Sequence, residues 1–562
     1  MNPILSHRTA VRHRNFTALF VRLVLSLFVV AFAALNAAAV NLQWDAAPAT
    51  AGVQDGAGNW SNLGSLNNWW DGTQNVAWTP GATAVIGLNL TAAATITLTN
   101  PIVAGGIIFS NIPVTGTATY TLASGSGGSV GSISLTGTPA SIVSAVNYPA
   151  AGIGVGANET ISASVVATGG LQLTAMTPWQ AQVSFNNTSN YIVGTMEVGT
   201  PGNASYTTPT AMQGQFNSAG IGANALNGCN TMIIHSNASV LFRGGSGAFT
   251  LNWPKKFIVS GDGIPSSSFC FGALSFSGNN GTIFPADIQL AGDSTVVGVW
   301  GVNNVIFTNT GSISGTGRLR FCSSANRPTS GTIIFKGKHT YVGDTIFDGT
   351  ITVQLASGLD DRLPTGTSLK LGTTGVFYAP GTTGIPQSSY NGYGRLVLGD
   401  ALGAVNQTLA SLTNDSTLNT TCWVIGGNAN TNSVLTINNA NDSIYNARLG
   451  GASSPDKMLG LIKTGAGTLY LQGTNLCAGG YTISSGALVI GDGNTDNPLG
   501  GPVTNNAALT INVGNSLAYA DAITGNGVLT KGGYGTLTLT GTNLATGPLV
   551  VQLGTLDRKS VV

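Results

Sequence analysis

Charge is what this chain has least of. Only 7% of its 562 residues are Asp, Glu, Lys or Arg, against roughly 25% in an average soluble protein. Glutamate occurs at Glu159 and Glu197 alone, and histidine 4 times in all. Glycoside hydrolysis by paired acids has few carboxylates to draw on. Without a basic patch there is no footprint for nucleic acid. The 5 cysteines, Cys229, Cys270, Cys322, Cys422 and Cys477, are odd in number, widely spaced and never in a C-x-x-C pair. That spacing argues against a disulfide framework or a zinc site, and they read as small buried apolar side chains. After the first forty residues no long window carries apolar residues at three-and-four spacing, and no run is long enough to span a membrane.

Glycine, by contrast, is abundant. Its 79 residues are about twice the usual share. Apolar residues stand at 43%, so the surface must be built from Thr, Ser, Asn, Gln and Gly. Recurring Val, Ile and Leu alternations exclude disorder, which needs a chain poor in apolar residues.

The glycines belong to a repeat. Lys463-Thr464-Gly465-Ala466-Gly467-Thr468-Leu469-Tyr470-Leu471-Gln472-Gly473-Thr474-Asn475-Leu476 aligns without gaps to Lys531-Gly532-Gly533-Tyr534-Gly535-Thr536-Leu537-Thr538-Leu539-Thr540-Gly541-Thr542-Asn543-Leu544, 68 residues on. Gly479 matches Gly547, Gly486 matches Gly554, and Leu488 matches Leu556. A looser copy holds Gly331, Gly337 and Gly343. The core, Gly-Thr-Leu-x-Leu-x-Gly, alternates with period two, as a strand with one buried face does. The bracketing glycines fit corners that need positive φ or close backbone approach; Gly535 is expected to need positive φ. A repeat of this kind predicts a stacked β-solenoid.

These residues resemble the autotransporter-associated β-strand repeat of bacterial surface and secreted proteins. Cys477 and Ala545 depart from its usual Tyr, and the copy at Gly331 lacks the leading Lys-x-Gly. The segment Trp44-Asp45, Gly58-Asn59-Trp60, Asn67-Asn68-Trp69 and Trp78 resembles the head of such proteins. The resemblance implies an all-β, right-handed parallel β-helix passenger with a Trp-rich head, no catalytic residue and no cofactor. It covers about a third of the chain for the repeats, and the repeat glycines it carries over are structural: Gly331, Gly337, Gly343, Gly467, Gly473, Gly479, Gly486, Gly535, Gly541, Gly547 and Gly554.

Four divisions follow. Residues 1–39 read as a secretory signal peptide, with Arg8, Arg12, Arg14 and Arg22 before an apolar run and an Ala37-Ala38-Ala39 cleavage site, so the mature chain is expected to start at Val40. Its 17 basic residues then face 20 acidic ones, a net charge of −3. Residues 40–115 form the Trp-rich head or cap, 116–330 degenerate rungs, and 331–562 the clearer repeats. The tail Asp557-Arg558-Lys559-Ser560-Val561-Val562 resembles translated adapter sequence, and the chain is expected to be a C-terminally truncated fragment.

Candidate chemistry is sparse. The pair Asp360-Asp361, beside Arg362, reads as a solvated turn. Asp492-Gly493-Asn494-Thr495-Asp496-Asn497 spaces oxygens like a Ca²⁺ loop but lacks its glycine and glutamate, and reads as a polar turn. Gly152-Ile153-Gly154-Val155-Gly156 lacks the third glycine of a phosphate loop. His235 and His339 read as solvent-facing strand residues. Trp44, Trp60, Trp69, Trp70 and Trp78 are either head core or a stack for sugar rings. The expected function is a secreted or cell-surface structural or adhesive solenoid without catalytic activity. Its expected partners are extracellular glycans or other surface components. The alternatives are a polysaccharide-active enzyme on the same fold and a carbohydrate-binding Trp-rich head.

Overall fold

A computed structural model describes residues 40–558 apart from 65, 89, 111–117, 126–130, 145–158, 176–179, 202–210, 217–225, 237, 244–249, 264–271, 278–280, 300–304, 324–330 and 375–390. The expected leader, the Gly152–Gly156 segment, Cys270 and the last four residues lie outside them. Among the described residues the chain is strand and turn, with one short 3-10 turn at Ser416–Leu418 and no α-helix. Among the described residues no helix is long and apolar enough to cross a membrane.

The strands are short, alternate buried and outward side chains, and pair in parallel with the strand one turn further on. In the best-ordered part each turn visits three faces. One face stacks Ser433–Asn438, Leu459–Thr464, Tyr481–Ile483, Val503–Asn505 and Ile523–Thr524. The second stacks Ser443–Tyr445, Thr468–Leu471, Ala487–Ile490, Ala508–Asn512, Val528–Gly532 and Leu549–Val551. The third position holds Arg448–Gly450, Asn475–Leu476 and Leu499–Gly500, then Ser516–Tyr519, Thr536–Leu539 and Thr555–Arg558. Leu461 pairs with Tyr481, Tyr481 with Val503, and Val503 with Ile523, so a turn takes 20 to 22 residues. Inward residues stack on their counterparts: Phe185, Phe216, Phe242, Phe276 and Phe307 form a column with successive ring centroids 5.2, 5.2, 5.8 and 4.7 Å apart.

Parallel pairing also runs across the positions expected to divide the chain. Ala94–Leu98 pairs with Tyr120–Ser124, and Val305–Asn309 with Gly331–Phe335. At the N-terminal end the pattern changes. Asn41–Trp44 pairs in parallel with Thr83–Ile86, while Trp69–Trp70 lies antiparallel against it and forms a hairpin with Asn75–Val76.

The 68-residue repeat is not a whole number of turns. It equals three turns plus one face, so its copies lie on different faces: Lys463 belongs to the first face and Lys531 to the second. What recurs is a corner. Both lysines point inward and are 0% exposed. Lys463 Nζ donates to the carbonyls of Thr464 (2.6 Å), Gly465 (3.0 Å) and Ser485 (3.3 Å). Lys531 Nζ donates to those of Gly532 (2.6 Å), Gly533 (2.8 Å) and Leu553 (3.1 Å). Each ammonium therefore uses its three donors to close the corner of its own turn and bind the next. Burial lowers the pKa of both; Asp442 partly offsets this at Lys463. The looser copy lacks the lysine, and Arg362 fills a corresponding role. It is 4% exposed and donates to the carbonyls of Lys336, Ala356 and Ser357.

The corner glycines meet the same crowding. Gly554 has φ +68° and a Cβ there would stand 2.3 Å from the Gly535 oxygen. Gly535 corrects the expectation drawn from the sequence: its φ is not positive, and the demand is for space, since a Cβ would meet the Asn515 oxygen at 2.5 Å. Gly535→Val should therefore destabilise the last turns by about 1–3 kcal/mol, seen as a lower urea midpoint; an unchanged midpoint would refute the crowding. Lys463→Met should leave three corner carbonyls without their donor and cost about 1–3 kcal/mol, with new protease cleavage near residues 464–467 and 485. A variant as protease-resistant as the parent would show that the ammonium is dispensable.

Candidate binding surface

The head tryptophans are core. Trp44, Trp60, Trp69 and Trp78 are at most 4% exposed. They pack edge-on or tilted, with Trp60–Trp69, Trp60–Trp78 and Trp69–Trp78 centroids 4.8, 4.8 and 4.6 Å apart. Trp44 and Trp78 donate their indole N–H to the carbonyls of Gly56 and Val103. Their faces are spent on one another, so the structure corrects the sugar-stacking role for these four. Trp70 alone of the five is half-exposed.

Acidic side chains are held by backbone amides. Asp360 accepts from Asn406 N and Asp361 from Thr408 N, tying their turn to the next one. Asp361 adopts φ +49°, a strained value for a side-chain-bearing residue. In the Ca²⁺-like loop Asp492 accepts from the amides of Asn494 and Thr495, and Asp496 from those of Gly514, Asn515 and Ser516. At Asp492 burial is the largest single effect and raises the carboxyl pKa, but the hydrogen bonds together lower it; at Asp496 the Ser516 and Asn515 amides lead and lower it against burial. Among the described residues no group of three metal-ligating side chains comes together. Cys229, Cys422 and Cys477 are free and buried, and Cys322 is buried.

His339 is not the solvent-facing strand residue expected. It is 1% exposed, accepts the Ile313 N–H at Nδ1 (3.1 Å) and packs edge-on against Phe335. Burial, with Arg362 nearby, lowers its pKa to about 3, so it stays neutral in ordinary conditions. It lines a cleft of about 390 Å³ with Lys338, Tyr341, Asp361, Leu363 and Thr365. His235 is half-buried, 3.4 Å from Glu197 one turn away.

Two features escape sequence reading. The first is Glu159, fully buried at an inward strand position, where one oxygen accepts Tyr120 N–H (2.7 Å) and the other has no partner. Burial raises its pKa to about 8. The second is an outward row on one face. Thr332, Thr352, Arg395, Trp423 and Arg448 occupy paired positions on consecutive turns. The Arg395 guanidinium lies 3.8 Å from the Tyr393 ring centre and 4.8 Å from that of Trp423; Arg448 lies 5.5 Å from Trp423. Neighbours in the row are 20 to 43 positions apart in sequence, and nothing short of the strand register could have joined them.

Residues 461–490 and 529–557, the two stretches whose lysines sit in matching carbonyl cages, each match the passenger-associated-transport-repeat family. The chain carries autotransporter passenger repeats. Over 53 residues it is 47% identical to the adhesin BmaC autotransporter of Brucella suis biovar 1 (strain 1330). That match covers 9% of this chain and 2% of the relative's length. No solved structure matches the chain. Passenger repeats place it with bacterial surface or secreted proteins, and the repeat boundaries enclose the whole caged corner, from the strand that bears the lysine to the strand after Gly486 or Gly554.

Glu159 gives these passenger turns a pH dependence. The unfolded side chain releases its proton near the model-compound value of 4.5, whereas the folded one holds it to about 8. Folded protein binds the extra proton between those values, so stability falls as pH rises through the window and levels off above it. Glu159→Gln, which keeps a neutral group of the same shape, should flatten that decline and leave the variant more stable than the parent at pH 8–9. Thermal melting across pH 4–9 reads this directly; parallel profiles would show that Glu159 ionises freely in the fold.

Proposed function

We propose that the chain is the adhesive part of a bacterial passenger, exported to the cell surface or beyond it, and that it performs no catalysis of its own. The observation that carries this reading is the deployment of its carboxylates. They are scattered along the stack and bound up by backbone amides: Asp71, Asp415 and Asp492 within their own turns, Asp287, Asp293 and Asp521 towards neighbouring turns. A glycosidase needs two acids facing one bond, and these serve the backbone instead. The likeness over 53 residues to an autotransporter named as an adhesin supports the adhesive half of the proposal.

The mechanism is display. Parallel turns repeat outward Thr, Ser and Asn side chains at the roughly 4.8 Å spacing of adjacent strands. Weak contacts to extracellular glycans or other surface components then add along one rigid face. The antiparallel Trp69–Trp70 hairpin fits a closing role at the N-terminal end, where an open strand edge would recruit other chains.

Display of the chain on a non-adherent bacterium should raise attachment to host-cell or glycan-coated surfaces several-fold over a strain displaying an unrelated solenoid. It should release no reducing ends from polysaccharides. Attachment no better than the control on every surface tried would refute adhesion, and release of reducing ends would refute the non-catalytic half.

A further inference from the structure

We propose that the outward row built on Arg395, Trp423 and Arg448 binds the carboxylate groups of a linear acidic polysaccharide laid along the solenoid axis. The proposal deepens the adhesive reading above and rests on it for its biological context.

The buried cations, and Arg318 as well, are already engaged. Lys463, Lys531 and Arg362 serve corner carbonyls. Arg318 is paired with Asp262 and Asp293, and buried Arg320 with Asp348. Arg395 is different. Its Nε donates to the Thr421 carbonyl at 2.9 Å, and no carboxylate pairs with it. Arg448 donates one terminal N–H to Asp456 at 3.1 Å, while its buried Nε has no partner. Two guanidinium groups thus flank one indole, and the one carboxylate beside them, Asp456, meets Arg448 alone. Burial, with a contribution from Arg448, disfavours the charged form of Arg395. A bound anion would offset both effects.

The geometry is preorganised for that anion. Tyr393 and Trp423 both lie against the Arg395 guanidinium, and the Thr421 bond restrains it. A guanidinium held this way loses little further freedom on binding, and its fork matches a carboxylate in two parallel hydrogen bonds. Arg395 and Arg448 are two turns apart, about 10 Å along the axis. An extended polymer with recurring carboxylates can reach both. Thr352 and Thr332 continue the row over the two preceding turns with hydroxyls suited to sugar hydroxyls. A chain with net charge −3 outside its leader and only these cations on the row does not suit nucleic acid.

The test uses the purified full chain with polygalacturonate, its fully methyl-esterified form, dextran sulfate and neutral dextran, by affinity electrophoresis and calorimetry. Polygalacturonate should bind and weaken at 0.5 M salt; the methyl ester and dextran should not bind. Arg395→Gln should lower affinity about tenfold, Arg395→Lys should restore it only in part because the fork is lost, and the Arg395→Gln/Arg448→Gln pair should abolish it with an unchanged circular dichroism spectrum. Equal binding of polygalacturonate and its ester by the parent chain would overturn the proposal without any variant having to fold. So would a folded double variant of undiminished affinity, or tighter binding of dextran sulfate that the double variant retains. Surface attachment that survives the double substitution would sink this site and leave adhesion standing. Polygalacturonate binding by a chain that attaches to nothing would do the reverse.

Discussion

Backbone carbonyls crowd together wherever one turn of this protein passes over the next. Parallel strands pair at about 4.8 Å, and that spacing must hold through the corners as well as along the flat faces. At the corners the ladder is interrupted, so carbonyls from two turns converge without amides to meet them. An unmet buried acceptor costs as much as a good hydrogen bond contributes. The chain answers with two devices. Glycine removes the Cβ that would strike the carbonyl below, as at Gly535 and Gly554. A buried cation supplies several donors at once, as Lys463, Lys531 and Arg362 do.

This constraint accounts for the composition. Charge is scarce because much of it is internal equipment. Lys463 and Lys531 close corners, and aspartates bind the amides of their own or the adjoining turn. A half-buried arginine pair around Trp423 stands out against that background because one carboxylate and one backbone carbonyl leave most of its donors unmatched. Adhesion by such a molecule depends on rows of outward side chains at fixed spacing, and the same pairing that stacks the corners aligns the rows.

The repeat also shows how a sequence period and a structural period differ. Copies 68 residues apart are superposable as corners yet lie one face apart around the stack. The unit under repetition is a strand, its corner and the strand above, and it can begin on any face because all faces obey the same packing rule. The Gly331 copy carries the point further. It has no leading lysine, and an arginine 26 residues after Lys336 provides the donors from the next turn.

Much of the architecture was legible beforehand. Period-two alternation marked strands, glycine at fixed offsets marked corners, and the recurrence of both marked a stack, because each is a local requirement written in neighbouring residues. The tryptophans did not reveal whether their rings faced water, since burial depends on what three strands and a loop bring together. His339, Glu159 and the Arg395–Trp423–Arg448 row were out of reach for the same reason. Sequence by itself settled that the chain is a β-solenoid of glycine-cornered turns. Only the tertiary structure decided which residues share a face and which charges stay unmatched, because strand register sets those neighbours across some 20 to 47 intervening residues and leaves no local trace.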